Sequence, residues 1–317
     1  MATWAFTFPG QGSQAVGMGR ELADTHQEAR NVFAEVDDAL GQKLSAIMFE
    51  GSEETLRLTE NAQPALMAVS VAVVRILESR GIRLADRAAY VAGHSLGEYS
   101  ALCAAGAFSL SDAARLLRIR GQAMQKAVPV GQGAMAAILG LDLEALREVA
   151  AAAGQGGEVC DIANDNAPGQ VVISGHKAAV ERAMELAKER GARRALPLPV
   201  SAPFHSRLMA PAAEVMQAAL ADVTVNAPAV PLVSNVLAEP VTEPDAIRQR
   251  LVEQVTGTVR WTECIGWLTG QGGVSHLAEL GTGKVLAGLA KRIAPEATAV
   301  SAGTPADIDA LVAEMAG

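Results

Sequence analysis

Aromatic residues make up only 3% of this 317-residue chain, although half of all positions are hydrophobic. A core so poor in rings calls for many closely packed helices, and the abundance of alanine lets them approach. Cysteine is nearly missing. Cys103, Cys160 and Cys264 are odd in number, far apart and without a CxxC pair, which argues against a disulfide framework or a zinc site. They read as reduced, mostly buried thiols. No uncharged apolar run reaches the span of a bilayer, so no membrane segment is expected. The opening MATWAFTFPGQG lacks the basic and long apolar regions of a secretory signal and alternates like a short strand. The expected compartment is therefore the cytoplasm. No long Lys/Arg tract occurs and the net charge is -9, which argues against nucleic acid, whose phosphates need a basic face.

What remains is an alternation of strands and helices. TWAFTF reads as a strand, RELADTHQEARNVFAEVDDAL as one amphipathic helix, AQPALMAVSVAVVRILESRG as a buried helix and AAYVAGH as a second strand. Two helices follow, LGEYSALCAAG and LSDAARLLRIRGQAMQKAV. After Pro129 the order becomes β-α-β-β-α-β, that of a ferredoxin-like unit. Strands PLVSNV and VSHLAEL and helices SRLMAPAAEVMQAAL and GKVLAGLAKRI then resume the alternation, as in a mainly parallel sheet covered on both faces. The expectation is an α/β fold. Residues 1–128 and 200–317 would form one large, discontinuous α/β domain, with a ferredoxin-like subdomain inserted at 129–199.

The segment YVAGHSLGEYSA sets Ser95 between two glycines where a strand passes straight into a helix. This is the nucleophile-elbow pattern, in which the turn lifts a hydroxyl above the sheet edge. The plainer reading is an ordinary helix N-cap. A helix N-terminus also favours an oxyanion, so the Leu96 N–H is a natural donor, and the loop FPGQGSQ after the first strand can bring the Gln11 N–H to the same edge. A serine hydroxyl needs a base. Of the five histidines, His94 lies inside the elbow and should point away, His26 lies on a polar helix face, His176 starts a helix and His276 lies in a late strand. These four read as structural. His205 stands apart, because LPVSAPFHSRLM delivers it through a proline-fixed turn to a helix start where the chain re-enters the large domain.

Several separated segments then agree: FTFPGQGSQAVGMG, NAQPAL, VAGHSLGEYSAL, RGQAMQ, GAMAAILGL, PGQVVISG, PVSAPFHSRLM, LVEQVTGTVRW and ELGTGKVLAGL. Over nearly its whole length the chain resembles the malonyl-CoA:acyl carrier protein transacylases of bacterial fatty acid synthesis, and the resemblance implies their fold, a hydrolase-like α/β catalytic domain carrying a ferredoxin-like insert. The resemblance implies that Ser95 accepts the acyl group, His205 activates it, and Gln11 and Leu96 form the oxyanion hole through their backbone N–H groups. It implies that Arg120 holds the free carboxylate of the malonyl group. Gln254 matches the residue whose oxygen orients the histidine, and a glutamine there would fix the ring tautomer without placing an anion beside the substrate. Phe204 resembles the bulky residue of malonyl-selective members, and is equally suited to packing in the core.

The chemistry of these residue types agrees. A guanidinium can bind a carboxylate through two parallel charge-assisted bonds that an acetyl group cannot make. Read alone, Arg120 is equally a solvated helix arginine, and Gln254 an exposed helix glutamine. The implied reaction is a ping-pong transfer from malonyl-CoA to the thiol of holo-acyl carrier protein, by a monomer that needs no metal or other cofactor. Both partners are anionic, so a basic patch is expected, with Lys188, Arg190, Arg193, Arg194, Arg118 and Lys126 as its candidates. An esterase would need an acid between the serine and the histidine, here Asp161 or Asp165, both within the insert. A non-catalytic binding module would need no nucleophile. A P-loop fails on spelling, since LAELGTGKV has Ala278 where glycine is required and Val285 where serine or threonine is.

Overall fold

The computed structural model describes residues 2–200 and 202–316. Among the described residues, ten strands build two sheets: β1 Trp4–Phe8, β2 Ala88–Gly93, β3 Gly133–Leu139, β4 Cys160–Ala167, β5 Gln170–His176, β6 Arg194–Pro197, β7 Leu232–Val233, β8 Pro240–Val241, β9 His276–Leu280 and β10 Thr298–Ala302. The larger sheet has the order β10-β9-β1-β2-β7-β8 and is parallel except for β8. The smaller has the order β4-β5-β3-β6 and is antiparallel. All five β1 residues are buried, as a strand covered on both faces requires.

One core packs the helices Gln27–Leu40, Thr59–Ser79 and Leu110–Lys126 on one side of the large sheet, and a second surrounds Trp261 and Leu268. The smaller sheet has its own core, where Ile138 and Ile173 meet Leu146 and Val180 of the helices Leu143–Ala153 and Lys177–Glu189. Thr59–Ser79 is long and apolar enough to cross a membrane, yet 83% of its most apolar window is buried inside the protein. It is a core helix. Its Pro64 sits near the N-terminus.

Several elements differ from the sequence reading. The helix expected over residues 20–40 is two, Arg20–Thr25 and Gln27–Leu40, broken at His26, which is extended. His26 is thus a cap between helices, where its Nδ1 meets Thr25 Oγ1, and not a mid-helix residue. The short helices Leu44–Glu50, Glu53–Arg57 and Leu84–Arg87 escape a periodicity test, because they span only one or two turns. The sequence reading also left out β8, β10 and the helices Trp261–Thr269 and Pro305–Ala316.

Candidate active site

Three adjacent parallel strands end at one edge of the large sheet. β1 leads into the loop bearing Gln11, β2 into the turn bearing Ser95, and β7 into Asn235. The crevice outside the carboxyl ends of such strands is where open α/β sheets bind ligands. Here it is a cleft of about 870 Å³ lined by Gln11, His94, Ser95, Arg120, Phe204 and His205 among others.

The glycines around Ser95 are required by contact. A Cβ on Gly93 would lie 1.9 Å from the Gly97 carbonyl carbon, and one on Gly97 would lie 2.3 Å from the Phe8 carbonyl oxygen. Ser95 itself has φ 53°, so the turn is a strained one between β2 and the helix Gly97–Ala104. Gly93→Ala is therefore expected to destabilise the protein by about 3 kcal/mol or more, the upper end of overpacking. Gly288, mid-helix with nothing within 4 Å of its added Cβ, is the control. Gly288→Ala should raise stability by about 0.4–1 kcal/mol, and paired thermal melts would read both.

Ser95 Oγ stands 2.7 Å from His205 Nε2. The other ring nitrogen, Nδ1, donates to the main-chain oxygens of Gln254 at 2.9 Å and Gly257 at 3.2 Å. Two carbonyl acceptors place the ring proton on Nδ1 and leave the Nε2 lone pair for the hydroxyl. Burial and the neighbouring Arg120 cation push His205 down to about 3, so it is neutral around pH 7. His205 also has φ 56°, and the Asp161 carboxylate grips the next residue but one, Arg207, through its N–H and guanidinium.

Arg120 is 1% exposed, which removes the solvated-helix reading. Its Nη2 donates to Ser95 Oγ at 3.1 Å and to Gln254 Oε1 at 2.7 Å, its Nη1 donates to Gln63 Oε1 at 2.9 Å, and the guanidinium lies 5.7 Å from the Tyr99 ring centre. Gln254 is wholly buried. The oxygen that holds His205 is its main-chain carbonyl, and its side chain serves Arg120 and the elbow instead. Phe204, 8% exposed, both lines the cleft and joins the main core. Neither the Gln11 nor the Leu96 N–H meets an acceptor among the described residues.

Sequence reasoning missed Glu98, Asn235 and Gln63. Each is a polar residue inside an apolar stretch, and all three are buried. Desolvation pushes the Glu98 carboxyl above the ordinary carboxylate range, opposed by the Asn235 N–H, the Gln254 amide and Arg120. The partners decide its state where the upward shift alone would not: Arg120 only donates to Gln254 Oε1 and the Ser95 oxygen only accepts, so the Gln254 NH2 faces Glu98, whose two oxygens both accept as a carboxylate's do.

The other histidines have other partners, including His94, which lines the cleft. His94 turns its Nε2 to Asn166 Oδ1 at 2.8 Å, His176 accepts from the Val159 N–H, and His276 packs on Trp4. Asp161 is committed to Arg207, so the acid of an esterase triad is replaced by carbonyls. None of the six cations expected to form a basic patch lines the cleft, and Lys188 and Arg190 are paired with Glu185 and Glu148.

The Acyl transferase domain family matches residues 5–274. A malonyl CoA-acyl carrier protein transacylase of Bacillus subtilis (strain 168) is 48% identical over 309 residues, 98% of this chain and 96% of the relative. The crystal structure of an acyl-carrier-protein-S-malonyltransferase from Bartonella henselae is 55% identical, with a TM-score of 0.97 over 99% of this chain and 100% of that one. A malonyl-transacylase in complex with its type II PKS acyl-carrier protein is 43% identical, with a TM-score of 0.95 over 99% and 100%. These matches span the segments that carry the serine, the histidine and the arginine meeting in the cleft, and the chain belongs to the family of malonyl CoA-acyl carrier protein transacylases.

Proposed function

We propose that this protein moves a malonyl group from malonyl-CoA to the phosphopantetheine thiol of an acyl carrier protein, through a malonyl ester on Ser95, for fatty acid synthesis. The observation that carries this reading is one hydroxyl shared by a neutral imidazole and a buried guanidinium. His205 Nε2 takes the Ser95 proton as Oγ attacks the thioester carbonyl. The oxyanion is received by the Leu96 and Gln11 N–H groups, which have no other acceptor among the described residues. The carbon–sulfur bond then breaks and the coenzyme A sulfur leaves with the proton from Nε2. In the second half the carrier thiol gives its proton to Nε2 and attacks malonyl-Ser95, and the proton returns to Oγ. No step draws on a metal or redox cofactor.

Arg120 receives the free carboxylate. The Nη2 hydrogen it lends to Ser95 Oγ is the one an incoming diacid can take over. Phe204 would limit a 2-methyl branch, a discrimination of about 1–3 kcal/mol. The parallel strand order supports a hydrolase-like catalytic region, and the order β4-β5-β3-β6 supports a ferredoxin-like insert at about 129–199. The carrier-protein complex of a relative with a TM-score of 0.95 supports the acceptor. The reading takes the protein as a cytoplasmic monomer.

Intact-protein mass spectrometry after mixing with malonyl-CoA tests the reaction. Ser95 is expected to gain a malonyl group that water removes slowly and holo-carrier removes fast. Rapid loss to water would make the protein a hydrolase, and no adduct would make it a binding module.

A further inference from the structure

Glu98 takes no part in these steps, yet its carboxylate lies in the first turn of the nucleophile helix at 1% exposure. A first-turn acid gains from the helix dipole at the surface too, so the dipole gives no reason to bury one. Its oxygens are divided between two neighbours. Oε1 accepts from the Asn235 main-chain N–H at 2.6 Å and Oε2 from Gln254 Nε2 at 2.5 Å. Both neighbours hold the elbow. Asn235 Oδ1 accepts from the Ser95 N–H and Asn235 Nδ2 donates to the Gly93 oxygen, each at 2.8 Å. Gln254 Nε2 also donates to the Ser95 oxygen at 2.9 Å.

The direction of these bonds has a consequence for Arg120. A carboxylate only accepts, so Gln254 must turn its NH2 toward Glu98, and this leaves Oε1 for the guanidinium. The Ser95 oxygen accepts from the same NH2, so two acceptors hold the amide this way round, and a donor at position 98 would set a hydrogen against that NH2 and push the amide away from the Ser95 oxygen and Arg120.

We propose that Glu98 is a positioning residue of the acyl-transfer site: as a buried double acceptor it fixes the polarity of the Gln254 amide and thereby holds Arg120 ready for the acyl carboxylate. The proposal rests on the transacylase reading and extends it to a residue that acts through another.

The test loads the purified full chain from a concentration series of malonyl-CoA or acetyl-CoA, as wild type, Glu98→Gln and Glu98→Asp. Glu98→Gln keeps the shape but has one acceptor oxygen for two donors. Malonyl kcat/KM is expected to fall about tenfold more than acetyl, mainly through KM, as for a binding contact weakened in ground and transition state alike. Glu98→Asp keeps an acceptor-only group on a shorter arm and adds no anion beside Arg120. It should recover much of the malonyl-to-acetyl ratio.

A purely structural role predicts equal losses with both substrates, a lower melting temperature and no recovery. If wild type loads malonyl and Glu98→Gln leaves the ratio unchanged, the Glu98 assignment alone falls. If wild type never loads, the transacylase reading fails and takes this one with it. If Glu98→Gln does not fold, a Glu98→Asp that keeps both fold and ratio supports the proposal. Recovery of fold with equal losses, or two variants that do not fold, overturns it.

Discussion

His205→Asn is expected to slow malonyl loading of Ser95 by about 10²–10⁴-fold, the usual contribution of a positioned general base. Asparagine is the informative replacement because it tolerates the left-handed backbone that His205 adopts at φ 56°. Its amide offers no basic nitrogen to take the hydroxyl proton. Quenched-flow loading followed by mass spectrometry measures the rate, and a loss under tenfold would show that the imidazole is not the base. The wild-type pH profile gives a companion test. Burial and Arg120 hold the free-protein imidazole near 3, so loading should show no acid limb around the ordinary histidine value of 6.5. The sign for stability follows from the same shift. Below 6.5 the unfolded chain binds a proton that the folded protein refuses, so this contribution to stability is present above 6.5 and lost progressively as the pH falls.

Arg120→Met should cost malonyl loading about 10²–10⁴-fold in kcat/KM, the equivalent of two charge-assisted hydrogen bonds. Methionine fills much of the buried volume, which limits the cavity that alanine would leave. Acetyl loading behaves differently, because acetyl has no carboxylate to lose. Removing the cation also relieves the depression of His205, so acetyl loading is expected to hold or rise. Parallel kcat/KM measurements with both thioesters decide the matter. Equal losses would remove Arg120 from carboxylate recognition and leave it a structural group.

These two side chains show how far residue patterns reach. The elbow was legible because its cause is local: Gly93, Ser95 and Gly97 lie within five positions, and the contacts that demand the glycines come from the same turn and the strand beside it. His205 could be singled out from its turn, but its link to Ser95 spans 110 positions. Arg120 and Gln254 were assigned through the family resemblance, since a helix arginine or glutamine looks the same whether buried or solvated. Their burial settled what spelling left open.

The residues by themselves determined the alternation of strands and helices, the turn that raises Ser95, and the absence of disulfide and zinc-finger spacings. Those follow from periodicity and steric rules that act within a few positions. Tertiary structure alone decided that Gln254 uses its main-chain oxygen for His205 and its side chain for Arg120, and that Glu98 and Asn235 join the site across 137 positions. Hydrogen-bond direction between distant groups exists only once the strands lie side by side, and local pattern carries no record of it.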